Sequence, residues 1–418
     1  MSRPRLPVAV AAAVALVLLG GYAQLWGGVS QTDISTSDFT ATYVGATLLR
    51  EGRGGSVYDE RAQASLHAAV IAPLRRGNLA FVNPPLAALL AVPVTLLPLD
   101  AAYRAWQALQ LAMLAAAVMV AARFAAWPRR LAGNGARSVT ILVALAGTGT
   151  LSLGLLGQWD GLSALGLAVA YALWRRDRAG AGGAVLALTS AVAKPHLAIG
   201  LAAFVVGWQD RRVLAGATAG VLGVVALSLV AVGPSGLVGF AGGLAADAQR
   251  WPLASMLGFT GLTGSWLGEG VSAQVLAGCG SVAAVAACVA LGRRLAADRG
   301  VLEPCLAAAT LLSLLASPHL LSHDLVLLAP MLVAMLAWAA HRDGGIAWPG
   351  RASGAVLAGW IVLSLAAALD LGSHQPAPPG RLVPWGLLAL AALLMRSLGA
   401  GARGWGTRRV SVGSRPAG

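Results

Sequence analysis

Long apolar stretches recur along the whole chain, and they constrain the fold more than any other feature of the sequence. Hydrophobic residues make up 57% of the 418 residues and charged residues only 11%, whereas a soluble domain carries about 25% charged residues. At ~20 residues per spanning helix, this content suffices for about twelve transmembrane helices. The sequence therefore predicts an all-α polytopic integral membrane protein and excludes a soluble core, a disordered tail protein and a coiled coil.

Basic residues outnumber acidic ones, which gives a net charge of +14. Every basic residue is arginine except Lys194. In a membrane protein, arginine clusters beside a span usually mark cytoplasmic loops. We therefore interpret the excess as a signal of orientation and expect no nucleic-acid partner.

The apolar segments predict the spans. The first runs from Leu6 to about Gly28, with the N-terminus inside. The other predicted spans lie near 84–98, 101–123, 138–156, 161–174, 181–209, 213–232, 272–292, 303–316, 324–340, 353–370 and 381–399. Twelve spans place both termini inside but put the arginines of 175–178 outside, against the positive-inside rule. Splitting 181–209 in two would bring these arginines inside and invert everything upstream.

The chain is predicted to be a single domain, 1–418, in which polar intervals form two external loops and a tail. We expect 30–83 to be a long, ordered first external loop with helical patches, because an unstructured loop of this length is uncommon between spans. The interval 234–271 is predicted as a second external loop, partly helical, and 400–418 as a basic cytoplasmic tail. Pro195, Pro318 and Pro330 predict helix breaks, which a membrane tolerates only beside protein or a watery cavity.

Asp38 and Asp59 both precede helical patterns in the first loop. Each is interpreted most simply as a helix N-cap, since Asp side chains accept hydrogen bonds from free amides at helix starts. For Asp38, which follows the first helix, the alternative is a catalytic carboxylate.

Lys194 stands in the apolar string AVAKPHLA, followed by Pro195 and His196. It is either a lysine that extends its ammonium to the membrane surface or a contact for a lipid phosphate, to which His196 could add a donor.

Three more ionisable residues, His319, His323 and Asp324, lie in the string ASPHLLSHDLVLLAP. The two histidines have the i, i+4 spacing of zinc ligands. A third ligand is not evident, and Leu320 stands where an HExxH motif needs Glu, so the pattern disfavours zinc. Asp324 could be a helix cap. The string from Gly157 to Asp160 indicates a tight turn.

Taken in order, several short strings resemble glycosyltransferase family 87. They are DFxxxYxxGxxLLxxGxxxxVYD in the first loop, FVNPPLAALLAVPVTLLP, GQxxxL, AKPH and SPHLLSHDLVLL. The resemblance runs from about Thr36 to Leu328. It implies a GT-C-type fold and a multi-pass enzyme of a bacterial plasma membrane, similar to polyprenol-phosphate-mannose-dependent α-mannosyltransferases of the cell envelope.

The resemblance also implies roles for individual residues. Asp38 matches the family's catalytic aspartate, and His323 matches a functional histidine. Lys194, His196 and His319 would bind the donor phosphate. The secondary candidates are Tyr43, Asp59, Gln158 and Asp324. The expected partners are a polyprenyl-phosphate sugar donor, a lipid or glycan acceptor and membrane lipids, and no cofactor or metal is expected.

Two other functions remain open from the residues alone. A transporter or lipid flippase would also be glycine-rich, basic and polytopic, but transporters tend to show inverted repeats and charges at mid-membrane. We find no such repeat, and the charges gather in loops and at helix ends. A noncatalytic scaffold or a polysaccharide polymerase is compatible with the same spacing.

Overall fold

A computed structural model describes residues 6–77, 79–129, 131, 134–247, 251–345, 349–371 and 381–404. Within these residues the protein is all-helical and has no strand. The α-helices are α1 Leu6–Gly27, α2 Gln31–Ser35, α3 Asp38–Arg50, α4 Glu60–Val70, α5 Pro85–Ala91, α6 Leu99–Phe124, α7 Asn134–Leu145, α8 Thr148–Leu156, α9 Asp160–Trp174, α10 Ala179–Ala193, α11 Ile199–Trp208, α12 Arg211–Asp247, α13 Phe259–Leu267, α14 Val271–Ala297, α15 Leu302–Ala316, α16 Leu328–Arg342, α17 Arg351–Leu371 and α18 Leu382–Gly404. Short 3-10 turns lie at Gly54–Ser56, Val92–Leu96, Pro195–Ala198, Leu253–Ser255, Arg299–Val301 and Ser322–Leu327.

The described helices support a membrane protein but do not confirm about twelve spans. Seven are long and apolar enough to cross a membrane, or eight if the bent pair α7 and α8 forms one span. Five shorter apolar segments of 10–17 residues accompany them. The predicted first helix is confirmed almost to the residue, because its apolar run is uniform and its end is marked by Gly27 and Gly28.

Two predicted spans are wrong. The segment 181–209 is not one helix, since Lys194 adopts φ −148° and ψ 82° between α10 and the turn that begins at Pro195. The segment 84–98 is only α5 and a 3-10 turn. The Asn83 side chain just before it donates to the carbonyl of Ala193, and Trp106, soon after it, donates to the carbonyl of Gly157. The chain before and after this segment, at Asn83 and Trp106, therefore lies at one end of the bundle, while Leu97 near its end contacts Tyr43 of α3.

The three predicted proline breaks have different outcomes. Pro195 and Pro318 do interrupt helices. Pro330 does not, because it lies in the first turn of α16, where the missing N–H has no intrahelical partner to lose.

The first loop folds into a helical cap on the bundle. Its helices α2, α3 and α4 are ordered, as the sequence predicts, and most of α3 is buried. Phe39 of α3 packs against Tyr103 and Trp106 of α6, and Trp106 packs edge-on against Trp159 at 4.6 Å. This aromatic cluster fixes the start of α3 against the bundle.

The predicted second loop, 234–271, is helical over much of its length. Helix α12 kinks at Gly233, where φ is +69°, and then continues to Asp247. Leu253–Ser255 and α13 follow. Of the predicted tail 400–418, residues 405–418 lie outside the described part of the chain.

Glycines let α10 and α12 pack closely. A Cβ on Gly216 would lie 1.9 Å from the carbonyl oxygen of Gly180, and one on Gly183 would lie 2.2 Å from that of Val213. This close approach explains the small residues of α12 as packing residues.

Candidate active site

Asp38 lies at the first position of α3 and is half-buried. The N-cap is Ser37, and the Asp38 side chain caps nothing, so the N-cap interpretation of Asp38 is wrong. Instead, the amide Nε2 of Gln158 donates a 2.6 Å hydrogen bond to Asp38 Oδ2. This contact joins two residues that are 120 positions apart, so it depends on the packing of the cap against the bundle.

The segment Gly157–Asp160 forms the hinge between α8 and α9. Gly157 has φ +65° and ends α8 in the left-handed region, and a Cβ there would meet the Cβ of Phe39 at 2.8 Å. Glycine is therefore required at this position. Trp159 is buried and its indole N–H donates to the hydroxyl of Thr42. The hinge thus presents Gln158 to Asp38 and places Asp160 in the interior.

Lys194 is the centre of a buried charged cluster. Its Nζ lies 3.1 Å from Asp160 Oδ2, 2.7 Å from Asp324 Oδ1 and 3.1 Å from His323 Nδ1. Its side chain is 8% exposed, and those of the two aspartates are 0% exposed. Such burial is tolerated because each carboxylate faces the ammonium directly.

His323 completes the cluster. Its Nδ1 also lies 3.0 Å from Asp160 Oδ2 and 3.1 Å from Asp324 Oδ1. This nitrogen either accepts a hydrogen bond from the Lys194 ammonium or donates its N–H to a carboxylate, depending on the tautomer. Among the described residues, Asp160 Oδ1 and His323 Nε2 are buried without a hydrogen-bond partner. These two atoms are where a bound group or ordered water would complete the network.

Two helix breaks bring these charges together. Pro195 disfavours helical geometry at Lys194, so α10 ends and the lysine side chain leaves the helix axis. After α15 ends, the backbone N–H of Leu321 donates to Asp324 Oδ2 at 2.7 Å, which caps the turn Ser322–Leu327. The cap interpretation of Asp324 is therefore confirmed, while its second oxygen binds Lys194.

His196 and His319 lie next to the two helix breaks and are half-buried, with Nε2 of His196 buried and without a hydrogen-bond partner among the residues that the structure describes. Their rings are perpendicular, with centroids 6.2 Å apart, and the ring of Trp251 lies 6.2 Å from that of His319. His319 and His323 therefore face different partners, despite their i, i+4 spacing.

One group of residues has the composition of a metal site. Asp160, His323 and Asp324 each offer a ligand atom, and these atoms lie within 4.8 Å of one another. The ammonium of Lys194 lies within 3.1 Å of all three side chains. A cation is thus already provided by the chain, and a metal ion would have to displace it.

The sequence model of glycosyltransferase family 87 matches residues 81–318, more than half of the chain. The chain belongs to this family. It is therefore a glycosyltransferase, and its apolar helices make it a membrane glycosyltransferase. No curated protein and no solved structure matches the chain.

The matched range contains the hinge and the Lys194 break, but Asp38 lies before it, and His319 and His323 lie after it. The structure of this glycosyltransferase nevertheless connects both outer segments to the matched core. Gln158 contacts Asp38, and Asp160, two residues later and so at most about 7 Å away along the chain, contacts Lys194 and His323.

The secondary candidates of this family 87 enzyme lie at different places. The hydroxyl of Tyr43 donates to the carbonyl of Leu97, and burial raises the pKa of this phenol, so it remains a neutral donor. Asp59 is exposed and caps α4 through the N–H of Ala62 at 2.7 Å. The N-cap interpretation of Asp59 is confirmed, and this residue is not part of the cluster.

Asp160 is the residue that sequence reasoning missed in this enzyme. Its string GQWDG is typical of a turn, and the turn is present, but the carboxylate points into the bundle rather than to solvent. The signal was its position directly beside an apolar span. An acidic residue there is costly in a membrane and is therefore a functional candidate.

Proposed function

We propose that the protein transfers a hexose, most simply mannose, from a polyprenyl-phosphate donor to a hydroxyl of a lipid or glycan acceptor. The observation that carries this proposal is the hydrogen bond between Gln158 and Asp38. It holds a half-buried carboxylate beside a hinge whose other side contacts the buried Lys194 cluster. The hinge thereby connects a base to the two helix breaks that carry the basic side chains Lys194, His196, His319 and His323.

Asp38 acts as the general base. Gln158 holds its Oδ2, which leaves Oδ1 to accept the proton of the acceptor hydroxyl. The acceptor oxygen attacks the anomeric carbon while the bond from that carbon to the phosphate oxygen breaks. Polyprenyl phosphate leaves with the bonding electrons, and the single displacement inverts the anomeric configuration.

The leaving phosphate is stabilised by the basic residues at the two helix breaks. His196 and His319 are half-buried and are the basic side chains with surface to touch it, whereas Lys194 and His323 are buried. Asp160 and Asp324 offset the charge of Lys194. Lys194 therefore contributes by holding the two breaks together, which positions His196 and His319 for the phosphate. No metal takes part.

An apolar groove supports a lipid-linked donor. It lies between α15, α16, α17 and α18 and is lined by side chains such as Leu311, Met331 and Trp360. Leu328, which also lines it, is only four residues after Asp324. A prenyl chain in this groove would deliver its phosphate to the cluster.

We also propose twelve crossings, with the cap and the active site on the external face of a bacterial plasma membrane. The support is that α10 and α11 are separate helices, while the chain before and after α5, at Asn83 and Trp106, contacts the same end of the bundle. The predicted span 84–98 is lost, and 181–209 becomes two spans, α10 and α11. The number of spans therefore stays at twelve, and both termini stay inside. This exchange also moves the arginines of 175–178 to the inner side, in agreement with the positive-inside rule.

The test compares Asp38→Asn with Asp59→Asn in purified protein supplied with a radiolabelled polyprenyl-phosphate sugar and an acceptor extract. Asp38→Asn removes the base and should lower the rate by ~10²- to 10⁴-fold. Asp59→Asn removes one negative charge from the same folded loop, and Asn can still act as the N-cap of α4. The rate of this variant should therefore match wild type. Equal rates for all three proteins would remove Asp38 from the mechanism.

A further inference from the structure

A second polar pocket lies at the opposite end of the bundle from the Lys194 cluster. Its volume is about 420 Å³, and its walls come from three connections, α9 to α10, α11 to α12 and α14 to α15. Helix α9 joins the two sites, with Asp160 in the cluster and Trp174 in the pocket. At 1.5 Å per residue, its 15 residues separate the sites by about 21 Å.

Three arginines line this pocket, one from each connection. Arg299 forms a 2.9 Å ion pair with Asp210, and Arg175 lies 3.4 Å from Glu303. Arg212 is exposed and has no ion-pair partner within the ranges that the structure describes. The two paired guanidinium groups still have N–H donors to spare, since each carries five. Asp177 also lines the pocket, so its three arginines are matched by Asp177, Asp210 and Glu303, and what the pocket offers an anion is the surplus of N–H donors.

Two buried tryptophans form the wall behind the arginines. Trp174 packs edge-on against Trp208 at 5.1 Å, and the guanidinium of Arg299 lies 4.7 Å above the Trp208 ring. Stacking and the Asp210 contact fix the Arg299 guanidinium in the pocket. Leu295 and Leu302 add apolar surface beside it. A polar pocket with an apolar side at the end of membrane helices suits a molecule that is itself amphipathic.

We propose that this pocket binds the phosphate headgroup of an anionic phospholipid. The phosphate contacts Arg212 and Arg299, and the rest of the headgroup lies against the tryptophans. Arginine N–H groups form charge-assisted hydrogen bonds with phosphate oxygens. The same three connections and the helix ends beside them carry further arginines, Arg176, Arg178, Arg211, Arg293 and Arg294, which attract anionic headgroups to this end of the bundle. The bound lipid ties together three connections whose helices α9, α10 and α15 lead to the active site, and so stabilises the bundle.

The proposal is tested with purified protein in an uncharged detergent. Short-chain phosphatidylglycerol, phosphatidylcholine and inorganic phosphate are titrated separately, with lipid adducts counted by native mass spectrometry and stability followed by thermal unfolding. The variant is Arg212→Gln, whose side chain is exposed and should not affect folding. The matched control is Arg211→Gln, which removes the same charge one residue away, outside the pocket lining.

We expect phosphatidylglycerol to bind and raise the unfolding temperature of wild type. Arg212→Gln should weaken this binding by about tenfold or more, as loss of a charge-assisted hydrogen bond does, while Arg211→Gln should change it by less than about threefold. Equal losses in both variants would show general surface attraction and overturn the proposal. So would equal binding of phosphatidylcholine, or stabilisation by inorganic phosphate alone.

Discussion

Replacing Lys194 with methionine tests the buried cluster most severely. Methionine keeps most of the volume of the side chain but leaves Asp160 and Asp324, both fully buried, without their counter-charge. Their facing oxygens lie within 4.8 Å, so at an effective dielectric of 20 their mutual repulsion is at least about 3 kcal/mol. Breaking a buried ion pair typically costs about 3–5 kcal/mol. We expect Lys194→Met to lose that much unfolding free energy.

The loss should be recovered when the stranded charges are removed. A variant that combines Lys194→Met with Asp160→Asn and Asp324→Asn leaves no buried ion and should regain at least about 2 kcal/mol. Unfolding free energies are measured by denaturant titration in mixed micelles, with Arg61→Met, at an exposed position, as the control. A Lys194→Met protein within about 1 kcal/mol of wild type would refute the assigned charge pairing.

Three further predictions follow from the site and the packing. Gln158→Leu should lower kcat by about tenfold and leave the donor KM unchanged, because it frees Asp38 from its 2.6 Å hydrogen bond; an unchanged kcat in steady-state assays argues against this positioning role. Chelation with EDTA should leave transfer rates within about twofold, since the Lys194 ammonium already lies among the candidate metal ligands; inactivation that Mg²⁺ reverses would contradict it. Gly216→Val should lower unfolding free energy by about 1–3 kcal/mol, because its Cβ would lie 1.9 Å from the Gly180 carbonyl oxygen. Gly223→Ala, with open space around it, is the control, and an equal effect of both substitutions would contradict the packing argument.

The fold class can be predicted from hydrophobicity, because each residue contributes to it independently of its tertiary contacts. A long isolated apolar run such as α1 is predicted almost to the residue. Pro195 predicts the break at Lys194, but hydrophobicity does not show that it divides 181–209 into two helices, because the residues on both sides of it are equally apolar. The segment that contains α5 resembles a span in composition, but Asn83 before it and Trp106 after it contact Ala193 and Gly157 at one end of the bundle, which only the tertiary structure reveals.

The site was predicted as single residues rather than as a network. Asp38, Lys194 and His323 stand out as rare ionisable groups beside apolar segments. How they pair is not visible in the sequence, since the contacts of Lys194 with Asp160 and Asp324 span 34 and 130 positions. A turn pattern explains Asp160 locally, and no local feature of the sequence indicates that its carboxylate is directed inward.

The donor class is the central claim, and a direct transfer assay tests it. Purified protein in nanodiscs is given the same radiolabelled sugar either on polyprenyl phosphate or on a nucleotide, with a lipid and glycan extract as acceptor and Asp38→Asn as the inactive control. The account predicts labelled product from the polyprenyl-phosphate donor alone, with the anomeric configuration inverted. Product from the nucleotide sugar, or a product of retained configuration, would contradict it.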